Sequence, residues 1–299
     1  MHTTFCYLCS SDNYTVLFRG SDPRIQLSPE HIAARQGSIN KAFSHNWVRC
    51  NKCGLVYANP VPDAINLAQL YAESDQGNYI DENDNLLFTY GKYLDKHIAE
   101  ISNFGTALDV GAGNGFFLRK LISYGYKTVI GIEPSSIACA SSPPDVHSLM
   151  RNTMFNESDF KSSSVDFLSC FQTLEHVHRP DLLLESFSRI LSKNAIIYCI
   201  AHNFGALGVR LLGARHPIIN AGHLTLFDAQ TLRKMFARYF DVISLFSISN
   251  RYSLYYWLGL LPVSEQFRNL LIQTSQFMGI EKFRLSLPVG NIGIIARKM

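Results

Sequence analysis

Two groups of residues in this chain have types and spacings that could do chemistry. The first is Cys6-x-x-Cys9 with Cys50-x-x-Cys53. Each pair sets two thiolates on one tight turn, a bite that suits one side of a tetrahedral zinc ion. Four protein ligands close the coordination shell, so zinc held there would be structural. Gly54 follows the second pair, as such a turn often requires. The two pairs stand further apart than the roughly 15–20 residues of common four-cysteine sites. The intervening chain must therefore fold out and return, with Val48-Arg49 and Leu55-Val56-Tyr57 as strands of a ribbon. The competing reading is two pairs of buried thiols without metal. Cys139, Cys170 and Cys199 have no such neighbour and read as small core residues.

The second group is Asp109-Val-Gly-Ala-Gly-Asn-Gly115. Gly111, Gly113 and Gly115 allow a sharp turn and close approach of the backbone to a ligand. A helix starting after them offers free amide donors. One strand later comes Ile132-Glu133-Pro134, where an acid at a strand end can accept hydrogen bonds from both hydroxyls of a ribose. A dinucleotide site would share these features, but the third glycine of its G-x-G-x-x-G pattern is Phe116 here. A phosphate-cradling loop is excluded, since no Gly-Lys-Ser/Thr follows.

These turns need a scaffold, and the chain from Thr106 onward supplies one. Strands are expected at 107–110, 128–132, 146–150, 165–170 and 195–200, with helices after 117 and over 135–140 and 181–191. Strands alternating with helices imply βαβ units and a mostly parallel sheet. Leu87, Tyr90, Leu94, Ile98 and Ile101 recur at helical steps just before it. The expected organisation is a zinc-binding module over 1–60, a linker and leading helix over 61–103, and a nucleotide-binding domain over 104–299 with an apolar insert at 251–288. Tyr79 and Tyr90 could cover the ligand from the N-terminal side or simply pack. The insert carries Tyr252, Tyr255, Tyr256, Trp257 and Phe267, and reads either as helices capping the sheet or as a substrate lid and peripheral contact surface.

The 299 residues are 47% hydrophobic and 17% charged, an ordinary globular composition, and the net charge is +3. Lys and Arg are scattered, without the basic stripe expected of a protein that works on long nucleic acids. Neither a secretory leader nor a run of about 18 apolar residues is visible. A cytoplasmic location with reduced thiols is expected, which favours metal over disulfide for the cysteines.

Leu108-Asp-Val-Gly-Ala-Gly-Asn-Gly-Phe-Phe-Leu118 resembles the first motif of class I methyltransferases dependent on S-adenosylmethionine (SAM). Gly131-Ile-Glu-Pro-Ser135 is similar to their second, and Val165 to Val177, with Leu174-Glu-His-Val177, to their fourth-strand segment. His223-Leu-Thr-Leu-Phe227 looks like the element after their fifth strand. The paired cysteines with Cys53-Gly-Leu-Val-Tyr-Ala-Asn-Pro60 resemble an appendage of bacterial methyltransferases of sugar, glycan and natural-product pathways. The resemblance implies a Rossmann-like sheet with its last strand, 291–296, antiparallel. It implies SAM held by Asp109, Gly111, Ala112, Gly113, Gly115, Glu133 and Pro134, with Met154 beside adenine and Phe171 and Gln172 flanking the methionine end.

Methyl transfer to a hydroxyl or carbon also requires loss of a proton, and histidine suits that task. His176 follows the fourth expected strand and His202 the fifth, at ends where ligands bind in open α/β sheets, and His223 opens the later motif. The resemblance favours His223 as base, with His176 next. Gly222 stands where the sugar C-methyltransferases carry an acid, which leaves O- and C-methylation both open. Glu175 reads as a loop support. The expected acceptor is a small molecule or glycan. The rival readings are a zinc-module ribosomal RNA methyltransferase and a non-enzymatic zinc-ribbon binding protein with a vestigial cofactor domain.

Overall fold

The computed structural model describes residues 2–20, 45–61, 69–70, 72–73, 82–261 and 263–299. Tyr79 and most of the expected linker lie outside the described residues.

Three N-terminal strands, β1 (Tyr14–Phe18), β2 (Asn46–Cys50) and β3 (Val56–Asn59), pair antiparallel. Helix α1 (Asn83–Asp95) follows. It buries Leu86, Tyr90 and Leu94 but stops before Ile98, which is exposed in a separate 3-10 turn. Then come β4 (Thr106–Val110), α2 (Leu118–Ser123), β5 (Thr128–Ile132), α3 (Ser136–Ala140), α4 (Pro144–His147) and β6 (Met150–Arg151). Of the strand expected at 146–150, Val146 and His147 are helix, Ser148 and Leu149 are turn, and Met150 alone is strand. Pro144 at its first turn, with φ preset and no N–H to lose, starts the helix and confines the strand to two residues.

The chain continues through β7 (Val165–Phe171), α5 (Pro180–Ile190), β8 (Leu191–His202), α6 (Leu207–Leu212) and β9 (Thr225–Leu226). It ends with α7 (Ala229–Phe236), β10 (Phe240–Ser253), α8 (Leu254–Gly259), α9 (Glu265–Phe277) and β11 (Arg284–Lys298). Asp228 caps α7 in a capping box with Thr231.

The main sheet has the order β10-β11-β8-β7-β4-β5-β6. Its pairs from β8 to β6 are parallel, and β11 runs antiparallel to both β8 and β10. This is the Rossmann-like sheet that the resemblance implied, mostly parallel with an antiparallel end. The alternation along β8 explains its two covered faces. Ile197, Cys199 and Ala201 join α5, α7 and the ribbon residues Tyr7, Val48 and Tyr57. Ile196, Tyr198 and Ile200 join α1, Phe117 and Leu121. Strands β10 and β11 stay paired as far as Ser253 and Arg284, so both ends of the apolar insert are strand and its middle is α8 and α9.

The N-terminal ribbon does not close on itself. Its sheet runs β1-β2-β3-β9, with Tyr57 opposite Thr225 and Val56 opposite Leu226. The segment after His223 is therefore the fourth strand of the ribbon.

Candidate functional site

The glycine turn is tied to the end of β5: the Gly111 and Ala112 N–H groups donate to the Ile132 carbonyl at 2.9 and 3.0 Å. Gly111, Gly113 and Gly115 have φ of +74°, +57° and +77°, the left-handed region that favours glycine. A Cβ on Gly111 would stand 2.1 Å from Thr173 Oγ1, and one on Gly115 would stand 2.9 Å from Met150 Sδ. A Cβ on Gly113 would meet nothing within 4 Å. The turn is thus packed against the loop after β7 on one side and open on the other.

Glu133 is buried beside that turn. Its Oε2 accepts the Gly113 N–H and its Oε1 the Ser135 N–H, both at 2.9 Å. Burial raises its pKa above the usual carboxylate range, and the two N–H donors oppose that. Asn152 Nδ2 donates to the Glu133 and Pro134 carbonyls at 3.0 and 2.9 Å, fixing the approach to Met154, which is exposed. Asp109 lies beneath the turn. It is buried, accepts a 2.7 Å hydrogen bond from Ser169 Oγ on β7, and is pushed up to about 7 by burial.

Phe171 ends β7 and Gln172 follows it. Phe171 packs against Tyr90, Phe117 and Tyr198, with ring centroids 4.9, 4.7 and 4.9 Å apart. Gln172 has φ of +51°, and its Nε2 is buried without a hydrogen-bond partner. A buried unpaired donor costs about 1–3 kcal/mol. The open flank of Gly113, the acid at the end of β5 and the orphaned Gln172 donor together fit a nucleoside ligand with a polar tail.

The histidines gather on the far side of the same loop. Glu175 and His176 lie in the 3-10 turn Leu174–His176, and His202 ends β8. Leu224 donates its N–H to the Glu175 carbonyl at 2.7 Å, which draws His223 in beside them. The His223 ring lies 4.5 Å from that of His176 and 5.0 Å from that of His202, centroid to centroid. Each Nδ1 faces an oxygen acceptor: the Gly222 carbonyl for His176 (2.9 Å), Asn291 Oδ1 for His202 (2.9 Å) and the Ile218 carbonyl for His223 (2.7 Å). A carbonyl oxygen only accepts, so each Nδ1 carries the proton and each Nε2 the lone pair.

Burial lowers His176 and His202 to about 4, and His223 well below its usual value, with its two histidine neighbours adding to the effect. All three are neutral imidazoles at neutral pH. Burial also raises Glu175 to about 7. Sequence reasoning named these four residues singly. Their places after the fourth and fifth strands and in the later motif were the available signal, and these do not show that Glu175, His202 and His223 converge.

The cysteines come together as their spacing implied. Sγ atoms of Cys6 and Cys53 lie 3.4 Å apart, as do those of Cys9 and Cys50, and all four lie within 4.8 Å of one another. A tetrahedral zinc with ligands at about 2.3 Å needs sulfurs about 3.8 Å apart, so this thiolate set fits zinc and leaves no position open. Gly54, at φ +87°, makes the turn after the second pair. A separate cavity of about 660 Å³, lined in part by Asn156, Phe160, Arg189 and Lys298, shares no residue with any of these groups.

A family model described as a methyltransferase domain matches residues 84–245. No curated protein matches the chain. Among solved structures, a SAM-dependent methyltransferase from Aquifex aeolicus is 14% identical, covering 80% of this chain and 100% of that one, at a TM-score of 0.47. The cyclase SpnF is 16% identical, covering 80% and 97%, at 0.49. A geranyl diphosphate methyltransferase in complex with SAM is 15% identical, covering 70% and 84%, at 0.45.

Proposed function

Because the chain belongs to the methyltransferase-domain family, matched over residues 84–245, we propose that it transfers a methyl group from SAM to a small-molecule acceptor, a sugar, glycan or natural-product intermediate, at oxygen or carbon. The observation that carries this reading is the pairing of two features across one loop. On one side is a glycine turn whose open flank at Gly113 adjoins Glu133; on the other is a buried group of neutral histidines.

SAM supplies an electrophilic methyl on a sulfonium whose leaving group is a neutral thioether, so no oxyanion hole is required. The remaining work belongs to the chain. Gly111, Ala112, Gly113 and Gly115, with Asp109 supporting them from below, shape the turn. Glu133 and Pro134 face the ribose, Met154 covers adenine, and Phe171 and Gln172 border the methionine end. The acceptor loses its proton to the histidine group centred on His223, with His176 packed against it, while the freed electron pair forms the bond to the methyl carbon. Aligning acceptor, methyl and sulfur is an entropic contribution that fixed walls provide.

Zinc in the four-cysteine ribbon, residues 1–60, is structural in this reading: it holds β3, on which the strand after His223 is paired. The exposed Tyr255, Phe267, Leu270 and Phe277 of the insert support a role for it as acceptor lid or peripheral contact surface. No helix among the described residues is long and apolar enough to cross a membrane. A cytoplasmic, thiol-reducing setting suits the cysteine site.

Calorimetry of zinc-loaded protein with SAM tests the reading. Binding is expected, and Glu133→Ala should weaken it by at least about tenfold, the loss of one charge-assisted pair of hydrogen bonds. Absence of SAM binding would remove every enzymatic reading. Tight binding of ribosomal RNA at moderate salt would replace the small-molecule acceptor with the RNA one.

A further inference from the structure

We propose that Glu175, His202 and His223 form a second metal site, for a divalent first-row transition-metal ion, with coordination positions left open to an acceptor oxygen. The inference rests on the methyltransferase reading for its purpose but not for its geometry. One ligand atom from each of the three residues falls within 4.8 Å of the others, and His202 Nε2 lies 3.8 Å from Glu175 Oε1.

The surroundings are those of a ligating set. A metal-binding imidazole almost always donates its other N–H to a carbonyl or carboxylate, which fixes the ring and the tautomer. His223 donates Nδ1–H to the Ile218 carbonyl, and His202 donates to Asn291 Oδ1. Asn291 is itself oriented: its Nδ2 donates to Asn250 Oδ1 at 3.3 Å, and Asn250 Nδ2 donates to the Tyr252 hydroxyl at 3.0 Å. Both Nε2 lone pairs remain for an ion in place of a proton; with the ion bound, His223 would act on the acceptor oxygen through the metal, and His176, 4.5 Å away ring to ring, would receive the proton.

Glu175 supplies an independent argument. Its carboxyl is 1% exposed. Oε1 accepts the His202 backbone N–H at 3.2 Å, while Oε2 is buried without a partner. Burying a carboxylate with one oxygen unsatisfied is costly, and a cation shared with His202 on the Oε1 side would offset part of that cost. Two imidazoles and one carboxylate form a borderline-soft set that selects zinc, iron or their neighbours over calcium and magnesium. Three protein ligands also leave room for a further one, as catalytic zinc sites do and four-cysteine sites do not.

The test is a zinc count on the full chain after saturation with Zn²⁺ and removal of excess. Wild-type protein is expected to hold one more zinc per chain than Glu175→Gln or His223→Gln, and Cys50→Ser is expected to lose a different equivalent. Equal zinc in wild type and both variants would overturn the site. Calorimetry with SAM on the same samples separates the two readings: variants that lose one zinc and still bind SAM support both. If no sample binds SAM, the methyltransferase reading fails while the zinc count still decides the site. Should a variant not fold, anomalous scattering from a zinc-soaked wild-type crystal decides instead. A peak between Glu175, His202 and His223 sustains the site, and its absence overturns it.

Discussion

The four-cysteine cluster and the Glu175–His202–His223 cluster are built on opposite principles. In the first, each pair of ligands sits on one local turn, so the chain needs only to bring two turns together. In the second, each ligand comes from a different place: the turn after β7, the end of β8 and the segment before β9. The first set is closed and made of thiols; the second is open and made of imidazoles and a carboxylate. A closed set can only stabilise, whereas an open one can bind a reactant. The two are also connected. The Ala58 N–H on β3 donates to the Leu224 carbonyl at 2.8 Å, and the Leu224 N–H donates to the Glu175 carbonyl at 2.7 Å. The ribbon is a splint for the histidine segment.

If the comparison holds, substitutions in the two clusters should fail in different ways. The largest effect is expected from His223→Gln: methyl transfer should fall by about 10²–10⁴-fold, the usual worth of a positioned proton-transfer group. SAM affinity by calorimetry should be unchanged, because the glycine turn lies across the loop. Cys50→Ser should instead lower stability by about 4 kcal/mol or more, since loss of a structural metal is among the few causes of changes that large. Urea unfolding measures it, and an unchanged midpoint would break the division of labour drawn here. Activity should fall in that variant too, through the Leu224 link.

The next effect concerns pH. In metal-free protein Glu175 keeps its proton up to about 7, against an unfolded value of 4.5. Between those values the unfolded chain has released a proton that the folded chain still holds, so this group makes stability fall as pH rises through the window. The expected size is about 3 kcal/mol. His202, lowered to about 4, acts in the other direction, with stability falling as pH drops from 6.5. Glu175→Gln leaves that histidine contribution in place. Its stability relative to wild type should therefore rise between pH 4.5 and 7 and then level off, which paired unfolding curves would show. A flat difference would mean that Oε2 is satisfied in solution.

The smallest effect separates two glycines. Gly113→Ala meets no atom and should cost about 1 kcal/mol of backbone strain, with SAM affinity reduced because the new methyl enters the open flank. Gly111→Ala drives a carbon to 2.1 Å from Thr173 Oγ1 and must displace the loop that carries Glu175. It should damage both stability and methyl transfer. Equal behaviour of the two variants, in unfolding and in calorimetry, would argue against that shared loop.

Much of the scaffold was legible because its signals are local. The thiol pairs, the glycine turn and the acid one strand later depend on spacings within one turn or one βα unit. The alternation of β7, α5 and β8 follows from two short apolar runs on either side of an amphipathic stretch. The helix at Pro144–His147 was missed because a short apolar run does not distinguish strand from helix, and the proline that decides it lies before the run. Phe171 shows a different limit. Its place at a strand end was readable, but its packing against Tyr90, Phe117 and Tyr198 was not.

The sequence by itself determined the parts: a four-thiol ligand set, a nucleotide-type turn with its acid, two histidines after strand ends and a third opening a later motif. The tertiary structure decided how they meet. That the fourth strand of the ribbon comes from residues 225–226, and that Glu175, His202 and His223 share one buried space, depends on strand order and on the return of the chain after β8. Those are long-range pairings set by packing of the whole sheet, and no periodicity along the chain encodes them.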